Sequence, residues 1–259
     1  VGELGASDRL AISGGVLDLT SPTDTLTLHA LAGAFDGSDY TIATFAQNRN
    51  GGFNTVQNLP SGYTVAYGPT SIRLLADQGP LQLTAAGSRK THGDFGPFDV
   101  DLLAPNPVEC RSSGGEHTFI FTFSNMIVSG SASLSSGVGS ISGSPVISGK
   151  TITVNLTGVA DAQKIAVTLQ DVTDRFAQVL PDTTVTVGML IGDTTGDGGV
   201  TSSDISQTKG QVGTSASNSN FREDVTVNGF ISASDVSFVK SRSGTFLPPE
   251  NRGIQFRRQ

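Results

Sequence analysis

Asp193-Thr194-Thr195-Gly196-Asp197-Gly198-Gly199-Val200-Thr201-Ser202-Ser203-Asp204 is answered, 31 residues later, by Asp224-Val225-Thr226-Val227-Asn228-Gly229-Phe230-Ile231-Ser232-Ala233-Ser234-Asp235. Both stretches carry oxygen side chains at positions 1, 3, 5, 9 and 12, Gly at position 6 and a β-branched apolar residue at position 8. Alternating oxygen-bearing residues on a tightly turning chain can all aim inward. Gly198 and Gly229 permit the left-handed backbone that such a turn requires. Each closing Asp stands in the first turn of a segment that reads as a short helix. Ile205 and Val212 mark the apolar face of the first, and Val236, Phe238 and Val239 that of the second.

This is the EF-hand loop pattern with Asp in place of Glu at the last position, and it predicts two calcium sites. Calcium takes six to eight oxygens at about 2.3–2.6 Å in flexible geometry. Loop one would supply Asp193, Thr195, Asp197, the carbonyl of Gly199, Thr201 (directly or through water) and Asp204. Loop two would supply Asp224, Thr226, Asn228, the carbonyl of Phe230, Ser232 and Asp235. Thr at position 3 is a neutral, weaker ligand than the usual Asp or Asn. Loop one keeps three carboxylates and loop two keeps two, so loop two is expected to bind more weakly. Val200 and Ile231 are expected to pair across a pseudo-twofold axis. The competing reading is a pair of Gly/Asp turns capping two helices, since Asp and Ser are good N-caps without any metal. Two such loops in tandem weigh against it.

Phe221-Arg222-Glu223-Asp224-Val225 leads into loop two, and Lys240-Ser241-Arg242-Ser243-Gly244-Thr245 closes the segment. With these flanks, residues 191–246 resemble a bacterial dockerin type I module. The resemblance implies a cohesin partner met by one face of the helices. It maps recognition onto Ser202, Ser203 and Lys209 in the first repeat and Ala233, Ser234 and Lys240 in the second. An ordinary solvated helix face is the alternative for these six. The near symmetry implies binding in two orientations. The helices are too short to stand alone, so calcium is expected to order them first.

The rest of the chain has a different composition. Its 259 residues include 32 Gly, 14 Phe and no Trp, with 15% charged residues, which points to a mainly β protein with many turns. A net charge of −7 argues against nucleic-acid binding, which needs clustered Lys and Arg. No segment is apolar enough over sufficient length to span a bilayer. A start at Val1 reads as a processed or truncated chain, and the lone Cys110 excludes a disulfide within it. Cys110 reads as a small buried apolar residue. Calcium loops in a low-charge, Ser/Thr/Gly-rich β chain suit a secreted or cell-surface setting.

Outward from the loops, residues 98–190 show about seven strand candidates, among them Phe98–Leu102, Thr118–Phe123, Met126–Ser131, Thr151–Leu156, Lys164–Leu169 and Thr183–Met189. Their number and spacing suggest an immunoglobulin-like sandwich. Val108-Glu109-Cys110-Arg111 through Phe123-Ser124 resembles the Ig-like module that often precedes bacterial dockerins. Residues 86–97 read as a linker. Residues 1–85 read as short strands, and Asp8-Arg9-Leu10, Gly15–Leu19, Tyr40–Phe45 and Leu59–Tyr63 resemble, in order, the end of autotransporter-associated β-strand repeats. That resemblance implies the last coils of a parallel β-helix; the alternative is a small β-sandwich. Residues 247–259 read as a tail ending in the basic Arg257-Arg258-Gln259.

Other signals are weaker. Gly149-Lys150-Thr151 fits a hairpin turn better than a phosphate loop. His29, His92 and His117 form no metal pattern. No catalytic motif stands out, and the chain reads as a non-catalytic attachment protein whose partner is a cohesin-like protein. A structural subunit of an extracellular filament or surface layer, pairing with copies of itself through β edges, is the alternative. A carbohydrate-binding role lacks an aromatic platform, with no Trp and three Tyr.

Overall fold

The computed structural model describes residues 10–29, 39–76, 79–112 and 114–249. The Asp8-Arg9 segment and the basic cluster at 257–259 lie outside these. The chain is mainly β, with two helices near its C-terminal end, and divides into two compact units at Gly79/Pro80.

In the first unit, three short strands each pair in parallel with a strand some thirty residues later. Leu10 lies opposite Ala43, Asp18 opposite Asn50 and Thr25 opposite Thr55, offsets of 33, 32 and 30 residues. An antiparallel hairpin, Tyr63–Tyr67 with Ser71–Ala76, adds to the strand Tyr40–Phe45. Leu19, Ala43, Phe45 and Ile72 form the buried core.

In the second unit, one sheet runs in the order Pro97–Asp101, Leu83–Thr91, His117–Phe123, Thr151–Thr157, with Ser140–Ile141 and Val146–Ser148 both pairing onto the last. The second runs Val108–Glu109, Thr183–Met189, Gln163–Asp174, Ile127–Ser136. Phe119, Phe121 and Phe123 point inward from alternate positions of one strand and meet Ile165, Val167 and Leu169 of the other sheet in one core. Burying each Phe contributes about 1.5–3 kcal/mol relative to exposure. Gly149-Lys150 is indeed a hairpin turn, joining Val146–Ser148 to Thr151–Thr157.

The expected linker at 86–97 is a correction. Residues 83–91 form an inner strand between Pro97–Asp101 and His117–Phe123. Its inward residues Ala86, Ser88 and Lys90 are small or polar, so no apolar alternation announced it. The buried Ser88 hydroxyl is satisfied by Glu109. The boundary expected at residue 190 also disappears, because Val108 of the second sheet joins Leu190, Val200, Val225 and Val239 in a shared core beneath the helices.

Candidate functional site: two acidic loops and their supports

Helix α1 spans Ser202–Gly210 and α2 spans Ala233–Arg242. Each begins with a capping box in which the loop's closing Asp is the N3 residue. Thr201 Oγ1 accepts from Ser203 N–H, and Asp204 Oδ2 accepts from Thr201 N–H at 2.8 Å. Ser232 and Asp235 repeat this at 2.9 Å. Capping of this kind contributes about 1 kcal/mol per helix. Val212, expected on the helical face, lies past the end of α1 and is exposed.

The same closing carboxylates reach back to position 3. Asp204 Oδ1 accepts from Thr195 N–H at 3.0 Å and from its hydroxyl at 2.9 Å. Asp235 Oδ1 accepts from Thr226 N–H at 3.1 Å and from its hydroxyl at 2.8 Å. The position 1 carboxylates are buried and take backbone donors: Gly198 N–H on Asp193 at 2.8 Å and Gly229 N–H on Asp224 at 2.7 Å. Positions 1, 3 and 12 converge in loop one, where the Thr195 hydroxyl also donates to Asp193 at 3.2 Å; in loop two positions 3 and 12 meet in the same way.

In loop one, carboxylate oxygens of Asp193, Asp197 and Asp204 lie within 4.8 Å of one another. Burial pushes the Asp193 carboxyl above its ordinary range. The N–H groups of Gly198 and Gly196 oppose that push, while the neighbouring charges of Asp204 and Asp197 add to it. Burial acts the same way on Asp204, but the hydrogen bonds from Thr195 and Thr201 outweigh it and hold that carboxyl below its usual range. Three convergent carboxylates with a threonine hydroxyl between them are a hard, oxygen-only donor set that fits calcium. Loop two offers Asp224, Thr226, Asn228 and Asp235, with one carboxylate fewer. Gly199 and Phe230 hold position 7, and Thr201 and Ser232 hold position 9, in matching places.

Each loop is closed by the segment that follows the other repeat's helix. Val200 N–H donates to Thr245 O at 2.9 Å, and Ile231 N–H donates to Thr214 O at 3.0 Å. Gly199 bridges to Phe246, and Phe230 bridges to Ser215. This replaces the expected direct pairing of Val200 with Ile231: both are buried, but each bonds a crossing segment. Leu247 also belongs here rather than to a tail, donating to Gly198 O at 3.0 Å.

The six expected recognition residues, Ser202, Ser203, Lys209, Ala233, Ser234 and Lys240, are all exposed on the two helices. Cys110 is fully buried, its thiol pushed up to about 11 by burial and donating to Arg222 O at 3.6 Å.

Several supports escaped the sequence reading. Arg222 donates to Thr194 O and Asp193 O at 2.9 Å each and to Val108 O at 3.0 Å, tying the entry of loop one to the second sheet. Arg111 is fully buried and donates to both oxygens of Glu109 at 2.9 and 2.7 Å, to Ser88 O at 2.7 Å and to Phe98 O at 2.9 Å. Burial alone would raise the Glu109 carboxyl. The charge of Arg111 and its hydrogen bonds, with Lys90 and Ser88, instead bring it down to about 2. His92, dismissed for lack of a metal pattern, lies 2.8 Å from Asp224. The partners are 132 residues apart, and no local spacing could signal the contact.

A family model of the Dockerin type I domain matches residues 191–242. No curated protein and no solved structure matches the chain.

Proposed function

We propose that this chain is a non-catalytic secreted or cell-surface protein whose residues 191–247 bind two calcium ions and present α1 and α2 to a cohesin-type partner. Dockerin type I domains attach proteins to cohesins, generally with calcium, and proteins that carry them are generally extracellular or attached to the cell surface. The observation that carries the reading is the repetition of one carboxylate network at a 31-residue offset, each copy opening a helix whose recognition positions are exposed. The Ig-like assignment of the two-sheet unit rests on its strand count and layering, and the β-helix assignment of the first unit on its parallel pairings about one coil apart. No helix among the described residues is long and apolar enough to cross a membrane.

The deciding experiment is capture of the whole chain on an immobilised type I cohesin in calcium and in chelator, with sizing in parallel. Calcium-dependent capture of a monomer is expected. Calcium-dependent self-association, seen as filaments in the electron microscope and with no capture, would replace docking with the filament subunit. Calorimetry of Asp193→Ala and Asp224→Ala assigns the sites, and loop one is expected to be the tighter.

A further inference from the structure

We propose that His92, carried on the connection after the inner strand Leu83–Thr91, is a positioning residue for the second calcium loop. Through it, the buried Arg111–Glu109 pair of the two-sheet unit sets the orientation of Asp224. The inference rests on the calcium reading above.

Both side chains are fully buried, and His92 Nδ1 lies 2.8 Å from Asp224 Oδ2. The other ring nitrogen, Nε2, lies 3.1 Å from a terminal nitrogen of Arg111. A guanidinium only donates, so Nε2 must accept and the proton sits on Nδ1. The hydrogen-bond network thus assigns the neutral Nδ1–H tautomer, and the contact is a neutral donor to a carboxylate rather than an ion pair. The chain of groups runs Glu109 to Arg111 to His92 to Asp224 without a break. Phe98 and Phe221 stack on each other at 5.6 Å and meet the imidazole edge-on, which holds the ring plane.

The effect on Asp224 is specific. Its Oδ2 takes two strong donors, His92 and Gly229 N–H, while Oδ1 takes one long contact of 3.2 Å from Asn228 N–H. Oδ1 is the oxygen left for a cation. Carboxylate or imidazole partners of this kind, one shell behind a metal ligand, change metal affinity about 10–100-fold. Asp193, the counterpart in loop one, takes its donors from Thr195, Gly196, Asp197 and Gly198 of its own loop. The same connection also seats the backbone of loop two. Gly93 N–H donates to Val227 O at 3.2 Å, and Phe95 meets Phe230 edge-on at 5.1 Å. A side chain on Gly93 would run into Asn228 O, so the two segments are in full contact.

The test uses the whole chain. His92→Phe keeps the ring volume and removes both nitrogens, and Arg111 retains its oxygen acceptors. Calorimetry should show about a tenfold loss of affinity at the site abolished by Asp224→Ala, with no change at the site abolished by Asp193→Ala. His92→Asn, whose amide N–H can stand where Nδ1–H stood, should recover most of the loss. Long-range nitrogen–proton correlation spectra should place the His92 proton on Nδ1; with three histidines in the chain, the assignment is tractable. Equal losses at both sites, no loss at either, or a proton on Nε2 overturns the inference while leaving the calcium reading intact. If His92→Phe does not fold, the asparagine variant and the tautomer decide. A wild-type chain that binds fewer than two ions removes the calcium reading and this inference together.

Discussion

The two loops have the same pattern and different supports. Loop one has Gly196 at position 4 with φ +78° and carries three carboxylates. It is closed by Phe246, and its entry is clamped by the carbonyl contacts of Arg222. Loop two puts Val227 at position 4 with φ +53°, a left-handed conformation that costs a β-branched residue about 1–3 kcal/mol. It has one carboxylate fewer, and it leans on His92, Gly93 and Phe95 from outside the repeat. The position 1 carboxylate of loop one therefore takes its donors from its own loop. Loop two depends on neighbouring structure to hold a strained backbone and a poorer donor set.

The largest effect that bears on this contrast is removal of calcium. A ligand bound at a thousand times its dissociation constant stabilises the folded state by about 4 kcal/mol. Because the helices share a core with Val108 and Leu190, chelation should lower the melting temperature of the whole second unit. Melting curves in calcium and chelator check this; a melt in which only the helices respond would break the link between loops and sheets.

Acidification should act next, on the side of loop two. His117 lines the same cleft as Val227, and burial pushes its imidazole down to about 4, with the Lys90 charge adding to the shift. The unfolded chain takes this proton near pH 6.5 and the folded one does not. This linkage costs nothing above that pH and destabilises the folded state progressively as pH falls towards 4, by on the order of 3 kcal/mol. His117→Gln has no proton to take up, so its denaturant midpoints should keep a constant offset from wild type at neutral pH and part from them as pH falls through this window, the wild type losing more stability.

The charge difference can be removed directly. Asn228→Asp gives loop two a third carboxylate and should tighten that site about tenfold, close to 1.4 kcal/mol, on the affinity arithmetic for adding a charged ligand. Calorimetry that still finds the sites as unequal as before would assign the inequality to the backbone instead. The smallest expected effect tests that backbone. Val227→Gly removes the left-handed strain but frees the unfolded chain, for a net gain of up to about 1 kcal/mol in thermal stability.

The reasons for what could and could not be read lie in particular residues. Thr118–Phe123, with Phe at every second place, announced its strand, because burial of one face imposes a period of two. Leu83–Thr91 lies beside it in the same sheet yet buries Ser88 and Lys90, whose partners Glu109 and Glu116 come from elsewhere, so residues 86–91 read as part of a linker. Val212 was placed on a helix that stops at Gly210.

The twelve candidate ligands, the two short helices that follow the loops and the inequality of charge were legible in the sequence alone. Each depends on atoms within a dozen residues of one another, where spacing dictates geometry. The closing of each loop by the far repeat, the clamp of Arg222 and the bond of His92 to Asp224 were decided only by the tertiary structure. These are contacts across 15 to 132 residues. They form because buried polar groups must find partners wherever packing happens to bring them.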